Sequence, residues 1–150
     1  MEIRKATPND FDTIYEMWKK NRKKLGTCWK ATLERYIRKG EFYTAYENNK
    51  FVGMVCLHYF KKYNQYDIIA LAIDEEYRTR GYGTELVKYA VSQIKCNSLL
   101  NNDIPIYVGA LDGDVNNKFY DRFCDIAWYN EYKTCVTRVY RVDKNRLYQL

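Results

Sequence analysis

Residues 78 to 84 read Arg78-Thr79-Arg80-Gly81-Tyr82-Gly83-Thr84, a run whose chemistry suits the binding of an anion. Glycine lets a backbone approach a ligand closely. Where a helix begins, its first N–H groups have no partner inside the helix and point outward. The helix dipole favours negative charge at that end. Arg78 and Arg80 add positive charge, and Thr84 adds a hydroxyl donor. A pyrophosphate fits such a place. Two other phosphate-binding patterns are excluded. A dinucleotide fold requires G-x-G-x-x-G early in the chain and an acidic ribose ligand about 20 residues later, and neither is present. A Walker-type loop requires Gly-Lys-Ser/Thr, which is also absent.

Metal chemistry finds little support. The five cysteines, Cys28, Cys56, Cys96, Cys124 and Cys135, are odd in number and lack paired ligand spacing. This argues against both a disulfide framework and a zinc site. His58 is the sole histidine, two residues from Cys56, and no second pair completes a metal shell. No metal is expected.

The elements that must position the loop follow from periodicity. Residues 2 to 6 predict a short strand. Thr7-Pro8-Asn9-Asp10 offers an N-cap with proline at the first helical position. Phe11, Ile14, Tyr15 and Trp18 continue at helical spacing until Gly26. Trp29, Leu33, Tyr36 and Ile37 give a second amphipathic stretch, closed by Gly40. Residues 41 to 47 and 51 to 60 predict two strands joined at Asn48-Asn49. A third strand spans 66 to 73, with Ile68 to Ile73 apolar on both faces, as in a strand covered on both sides. The glycine loop then opens a helix bearing Leu86, Val87, Ala90, Val91 and Ile94. A strand at 104 to 110, a short helix at 115 to 123 and two strands within 126 to 142 complete the order.

The expected fold is therefore mixed α/β (α+β), with helices on both faces of a sheet. The 150 residues, 47% of them hydrophobic, suit one domain over residues 1–150. No apolar run approaches the roughly 20 residues needed to cross a bilayer. Nothing after Met1 reads as a signal peptide, so the expectation is a cytoplasmic protein with no membrane partner. The formal net charge is +6, and the Lys and Arg residues are spread along the chain, with their tightest cluster at Lys19-Lys20 and Arg22-Lys23-Lys24. Solubility explains most of it.

The run from Leu71 to Leu86 resembles the acetyl-CoA signature of the GCN5-related N-acetyltransferase (GNAT) superfamily. That signature is Arg or Gln, two residues, Gly, one residue, then Gly or Ala, after a hydrophobic strand and opening a helix. The order of elements along nearly the whole chain is similar too. The resemblance implies a central mixed, largely antiparallel sheet of about seven strands with about four helices on both faces. It implies acetyl-CoA as cosubstrate, with the backbone of Thr79, Arg80, Gly81, Tyr82, Gly83 and Thr84 on the pyrophosphate and Arg78 beside it. The backbone of Leu71, Ala72 and Ile73 would pair with the pantetheine arm.

The activity so implied is acetyl transfer to a primary amine of a small molecule or protein by direct attack. An alkyl amine, with a pKa of about 10.4, must lose a proton to attack, so a base or a water chain is needed. The oxyanion must be stabilised, and the departing thiolate benefits from a proton donor. Relatives often place a tyrosine after the fifth strand, which matches Tyr120 as that donor. The usual Gly-Phe that follows is absent here, and Gly113 stands where many relatives have Asn. Asn116 and Asn117 lie near but do not align. Asp67 matches a frequent glutamate position one methylene short, which favours a water relay, and His58 stands in reserve as base. Glu75 and Glu76 read as surface charges. By the family's architecture, the two N-terminal helices, their loop at residues 22 to 30 and the last strand pair would shape acceptor choice. An acetyltransferase acting on aminoacyl-tRNA is the alternative acceptor reading, although nucleic acid is not the favoured partner. A coenzyme-A-binding module without turnover is the alternative class. A homodimer accords with the family.

Overall fold

The computed structural model describes residues 1–97 and 104–150. Among them are seven strands in one sheet, ordered β1-β2-β3-β4-β5-β7-β6, and six α-helices. The architecture is mixed α/β with a largely antiparallel sheet, as expected. The chain divides into two compact units, Met1–His58 with Ile69–Leu99, and Tyr59–Ile68 with Leu100–Leu150.

In the first unit, β1 (Glu2–Lys5) pairs antiparallel with β2 (Phe42–Glu47), from Glu2↔Tyr46 to Lys5↔Tyr43. β2 and β3 (Lys50–Phe60) form the expected hairpin. Asn48 and Asn49 take φ of 51° and 64°, the two positive values that a two-residue turn matching strand twist requires. β4 (Gln65–Ile73) comes so close to β3 that a Cβ on Gly53 would lie 2.6 Å from the Ala72 carbonyl oxygen. Helices α1 (Phe11–Lys20) and α3 (Lys30–Arg38) lay Ile14, Met17, Trp18, Leu33 and Ile37 against Phe42, Met54, Cys56, Ala70 and Ala72. The apolar stripe of α4 (Tyr82–Asn97) is buried as its spacing predicts, and Tyr89 packs edge-on against Tyr43 at 5.6 Å.

In the second unit the start of β4 pairs parallel with β5 (Ile106–Leu111) at Tyr66↔Ile106 and Asp67↔Tyr107. β5 pairs with β7 (Val136–Val142), and β7 with β6 (Cys124–Glu131), both antiparallel. α5 (Asn116–Asp121) brings Tyr120 to the buried Tyr140, and Phe123 just after it packs on Tyr120.

Several expectations need correction. The helix expected up to Gly26 is two helices, α1 and α2 (Arg22–Leu25). Asn21 separates them by donating its side-chain amide to the Met17 carbonyl at 2.8 Å, competing with the main chain. A sixth helix, α6 (Lys144–Tyr148), was not expected, so six replace four. Its N-cap is Asp143, which accepts from the Arg146 N–H. Pro8–Asp10 is a 3-10 turn leading into α1. The face of β4 formed by Ile69, Leu71 and Ile73 is only half-buried, whereas Ile68, Ala70 and Ala72 are buried. Trp29, expected in the stripe of α3, is 75% exposed.

One buried charge ties the start of α1 to the sheet. Asp10, 4% exposed, accepts two bonds from Arg4 at 2.9 and 3.0 Å, one from the Thr7 N–H at 2.8 Å and one from the Tyr46 hydroxyl at 2.7 Å. Burial pushes the carboxyl up, but the Arg4, Thr7 and Tyr46 donors outweigh it, and Asp10 sits below its ordinary value. A carboxyl lowered in the folded state adds stability above its unfolded pKa of about 3.9, and that stability is lost as pH falls through the folded value. Asp10→Asn should therefore lower stability by about 2 kcal/mol at pH 7, a figure held down because Arg4 is half-exposed and screened. The deficit against wild type should shrink below about pH 4. Urea titrations at several pH values measure it, and a deficit constant with pH would refute the role of the charge.

Candidate active site

The glycine loop lies in the first unit between β4 and α4. After Ile73 the chain makes a 3-10 turn at Glu75–Tyr77, capped by Asp74, whose carboxylate accepts from the Glu76 N–H at 3.1 Å. Thr79 and Gly81 then take φ of 65° and 82°. The Glu85 N–H closes the first helical bond, to the Gly81 carbonyl at 3.1 Å. The N–H groups of Tyr82, Gly83 and Thr84 are thus the orphan donors of the helix start. A Cβ on Gly81 would meet no protein atom within 4 Å. The loop is an open, positively poised backbone cradle.

Its side chains are more engaged than their types suggest. Arg78 folds back, Nε donating to the Ile73 carbonyl at 3.0 Å. The Arg80 guanidinium lies over the Tyr77 ring, 5.5 Å from its centroid. The Tyr82 hydroxyl donates to Glu47 at 2.9 Å, and that carboxylate pushes the phenol up from its ordinary value. The side chain of Thr84 is buried, so its contribution to the open face is its backbone. Glu76 pairs with Lys50 at 2.9 Å on the surface, in keeping with its expected character. Leu71 to Ile73 end β4 and lie outside the two-pair register with β5.

The expected acid and base both belong to the second unit. Tyr120 is 7% exposed, its ring packed by Phe119, Phe123 and Tyr140 at centroid distances of 5.1 to 6.1 Å. Burial, then neighbouring Cys124, pushes its phenol well above the ordinary value. Among the described residues its hydroxyl has no hydrogen-bond partner, yet it is not sealed from solvent. Asp67 is the third residue of β4 and is half-buried, with Gln65 donating to it at 2.9 Å. Asn117 is consumed structurally, donating to the Leu111 carbonyl at 3.1 Å and accepting from the Gly113 N–H at 2.7 Å.

Sequence reasoning missed the partner of His58. Its Nδ1 lies 2.8 Å from Glu41, with both side chains 13% exposed, and its ring packs on Tyr36 at 4.9 Å. Seventeen residues separate the two, and only the pairing of β2 with β3 joins them. Cys56 beside them is raised well above its ordinary value by burial, so it is a thiol at neutral pH. Among the described residues no three His, Cys, Asp or Glu side chains cluster as a metal site.

Comparison with known proteins agrees with this geometry. The model of the acetyltransferase (GNAT) family matches residues 10–125. No curated protein matches the sequence. Among solved structures, the aminoglycoside 6'-N-acetyltransferase from Enterococcus faecium superposes with a TM-score of 0.76 at 15% identity, over 94% of this chain and 96% of that one. Ard1 from Thermoplasma volcanium gives 0.74 at 19%, over 94% and 96%. N-acetylglutamate synthase from Neisseria gonorrhoeae, complexed with coenzyme A and N-acetyl-glutamate, gives 0.74 at 18% over 94% of this chain, which spans 35% of that longer protein. At these identities the likeness is one of fold.

Proposed function

The chain belongs to the acetyltransferase (GNAT) family, and from that premise we propose that it transfers an acetyl group from acetyl-coenzyme A to a primary amine. The observation that carries the cosubstrate is the backbone cradle. Two left-handed residues, Thr79 and Gly81, turn the N–H groups of Tyr82, Gly83 and Thr84 outward at the start of a sixteen-residue helix. Such an end binds phosphate without needing side-chain charge, which accords with Arg78 and Arg80 being turned to other partners. The residues present therefore fit a pyrophosphate. A fold neighbour that holds coenzyme A supports the same reading, as does the end of β4, whose Leu71 to Ile73 backbone is not engaged by the β5 register.

In the proposed reaction the neutral amine attacks the acetyl carbon and the C–S bond breaks. The amine proton leaves through water to Asp67, and the Tyr120 hydroxyl donates to the departing sulfur. Asp67 is suited to a relay because its carboxylate is half-buried and steadied by Gln65. Release of free thiol from acetyl-coenzyme A, followed over a panel of amines, tests the reading. Asp67→Asn should lower kcat/KM about tenfold or more at pH 7. The deficit should narrow as pH rises towards and past about 10.4, above which most of the amine is neutral unaided. A panel with no thiol release, together with a thermal shift on coenzyme A, would replace the enzyme with a binding module.

A further inference from the structure

The charge of this protein is concentrated around its most exposed indole, that of Trp29. Residues 19 to 30 contain six basic side chains, Lys19, Lys20, Arg22, Lys23, Lys24 and Lys30, and no acidic one. The rest of the chain is balanced, nineteen basic residues against nineteen acidic. The entire net charge of +6 thus resides in the turn from α1 through α2 to the start of α3. All six are exposed. Lys19 pairs with Glu16 at 2.7 Å, while the other five have no carboxylate within ion-pair distance among the described residues.

The segment is also held in shape. The Trp18 indole donates to the Gly26 carbonyl at 2.9 Å, and Gly26 takes a φ of 78°. Lys19 and Lys30, eleven residues apart, both approach the Tyr15 ring, 4.9 and 5.2 Å from its centroid. Trp29 lies between Lys24 and Lys30 in the sequence, next to Lys30, and has 75% of its surface exposed. Solubility needs no such arrangement. Unneutralised like charges repel one another in the free protein, and an exposed indole gains nothing from water. A polyanion that offers flat apolar faces answers both features.

We propose that this face of the first unit binds RNA through its phosphates and through an unpaired base stacked on Trp29. Phosphates meeting the basic side chains release condensed counterions. An aromatic ring flanked by cations is the means by which proteins hold unpaired bases. RNA is favoured over DNA because its loops and ends present splayed bases as a standing state. An acidic protein would satisfy the lysines but not the indole. The inference does not depend on the acetyl-transfer reading, since it concerns residues outside the glycine loop.

Fluorescence anisotropy of the full chain with a labelled polyuridine of about fifteen nucleotides tests it. Binding should weaken with salt at a log-log slope of about −3 to −4, and Lys23→Gln with Lys24→Gln should reduce the slope by about 1.4. Trp29→Ala should lose about tenfold in affinity with the slope unchanged, and a duplex RNA of equal length should bind more weakly. A salt-independent signal, wild-type affinity in Trp29→Ala, or equal competition by polyglutamate would each overturn the proposal, the last in favour of an acidic protein partner. A thermal shift with coenzyme A, read on the same variants, should be unchanged and separates failure of this surface from failure of the cofactor reading.

Discussion

Tyr120→Phe is expected to lower kcat for acetyl transfer about a hundredfold, with KM for acetyl-coenzyme A and thermal stability nearly unchanged. The ring contributes the packing, against Phe119, Phe123 and Tyr140, and phenylalanine keeps it. The hydroxyl has no protein partner among the described residues, so its removal strands no buried group. Burial raises the phenol well above its ordinary value, so it is neutral and able to donate throughout the pH range of any assay. A thiol has a pKa of about 8.5, far below that of this phenol. In the proposed reaction the hydroxyl therefore serves the leaving sulfur as a hydrogen-bond donor whose bond strengthens as negative charge grows. Such a contact acts in the transition state more than in the ground state, which is why kcat and not KM should carry the loss. A second readout follows from the sign of the shift. Because the raised phenol stays protonated, kcat of wild type should show no falling limb from Tyr120 up to about pH 10. Unchanged kcat in the variant, or such a limb at pH 8 to 9, would remove Tyr120 from the reaction.

What was legible beforehand was what local rules decide. Asn48-Asn49 announced a hairpin because few residue pairs accept two positive φ values. The α4 stripe announced itself because sixteen residues give periodicity room to show. The glycine loop was legible for the same reason, since backbone conformation and helix start are both local. The failures share the opposite cause. Trp29 fits the spacing of Leu33, Tyr36 and Ile37, but it precedes the first residue of α3, so the helical phase does not bind it. Asn21 ends α1 through one side-chain bond that no periodicity records. The pairing of His58 with Glu41, and of Asp10 with Arg4 and Tyr46, depends on strand register. The residue types of Arg78 and Arg80 suggest charge for a ligand, whereas a carbonyl and a ring already hold them. The candidate site is thus more a backbone cradle than its residue types suggest.

That distinction can be tested at Gly81, where alanine is expected to cost at least tenfold in affinity for coenzyme A. Two effects must be separated. At a φ of 82° any Cβ is strained, by about 1–2 kcal/mol, and the protein loses that much stability whatever the loop binds. Gly26 supplies the control, with a φ of 78° and likewise no atom within 4 Å of an added Cβ. Gly26 has a ψ of −172°, a region almost confined to glycine, so Gly26→Ala should lower Tm at least as much as Gly81→Ala, whose loss should be about 2–8 °C. The affinities should diverge. A methyl group at Gly81 meets no protein atom, but on the proposed reading it would crowd a phosphate held by the N–H groups of Tyr82, Gly83 and Thr84. At Gly26 there is no such donor row, and coenzyme A should bind as to wild type. Calorimetric titration of both variants decides the matter, since tenfold in affinity is about 1.4 kcal/mol. If the two alanines bind coenzyme A equally well, the phosphate does not lie on this backbone, and the charge on Arg78 and Arg80 would have to be released from Ile73 and Tyr77 to hold it instead.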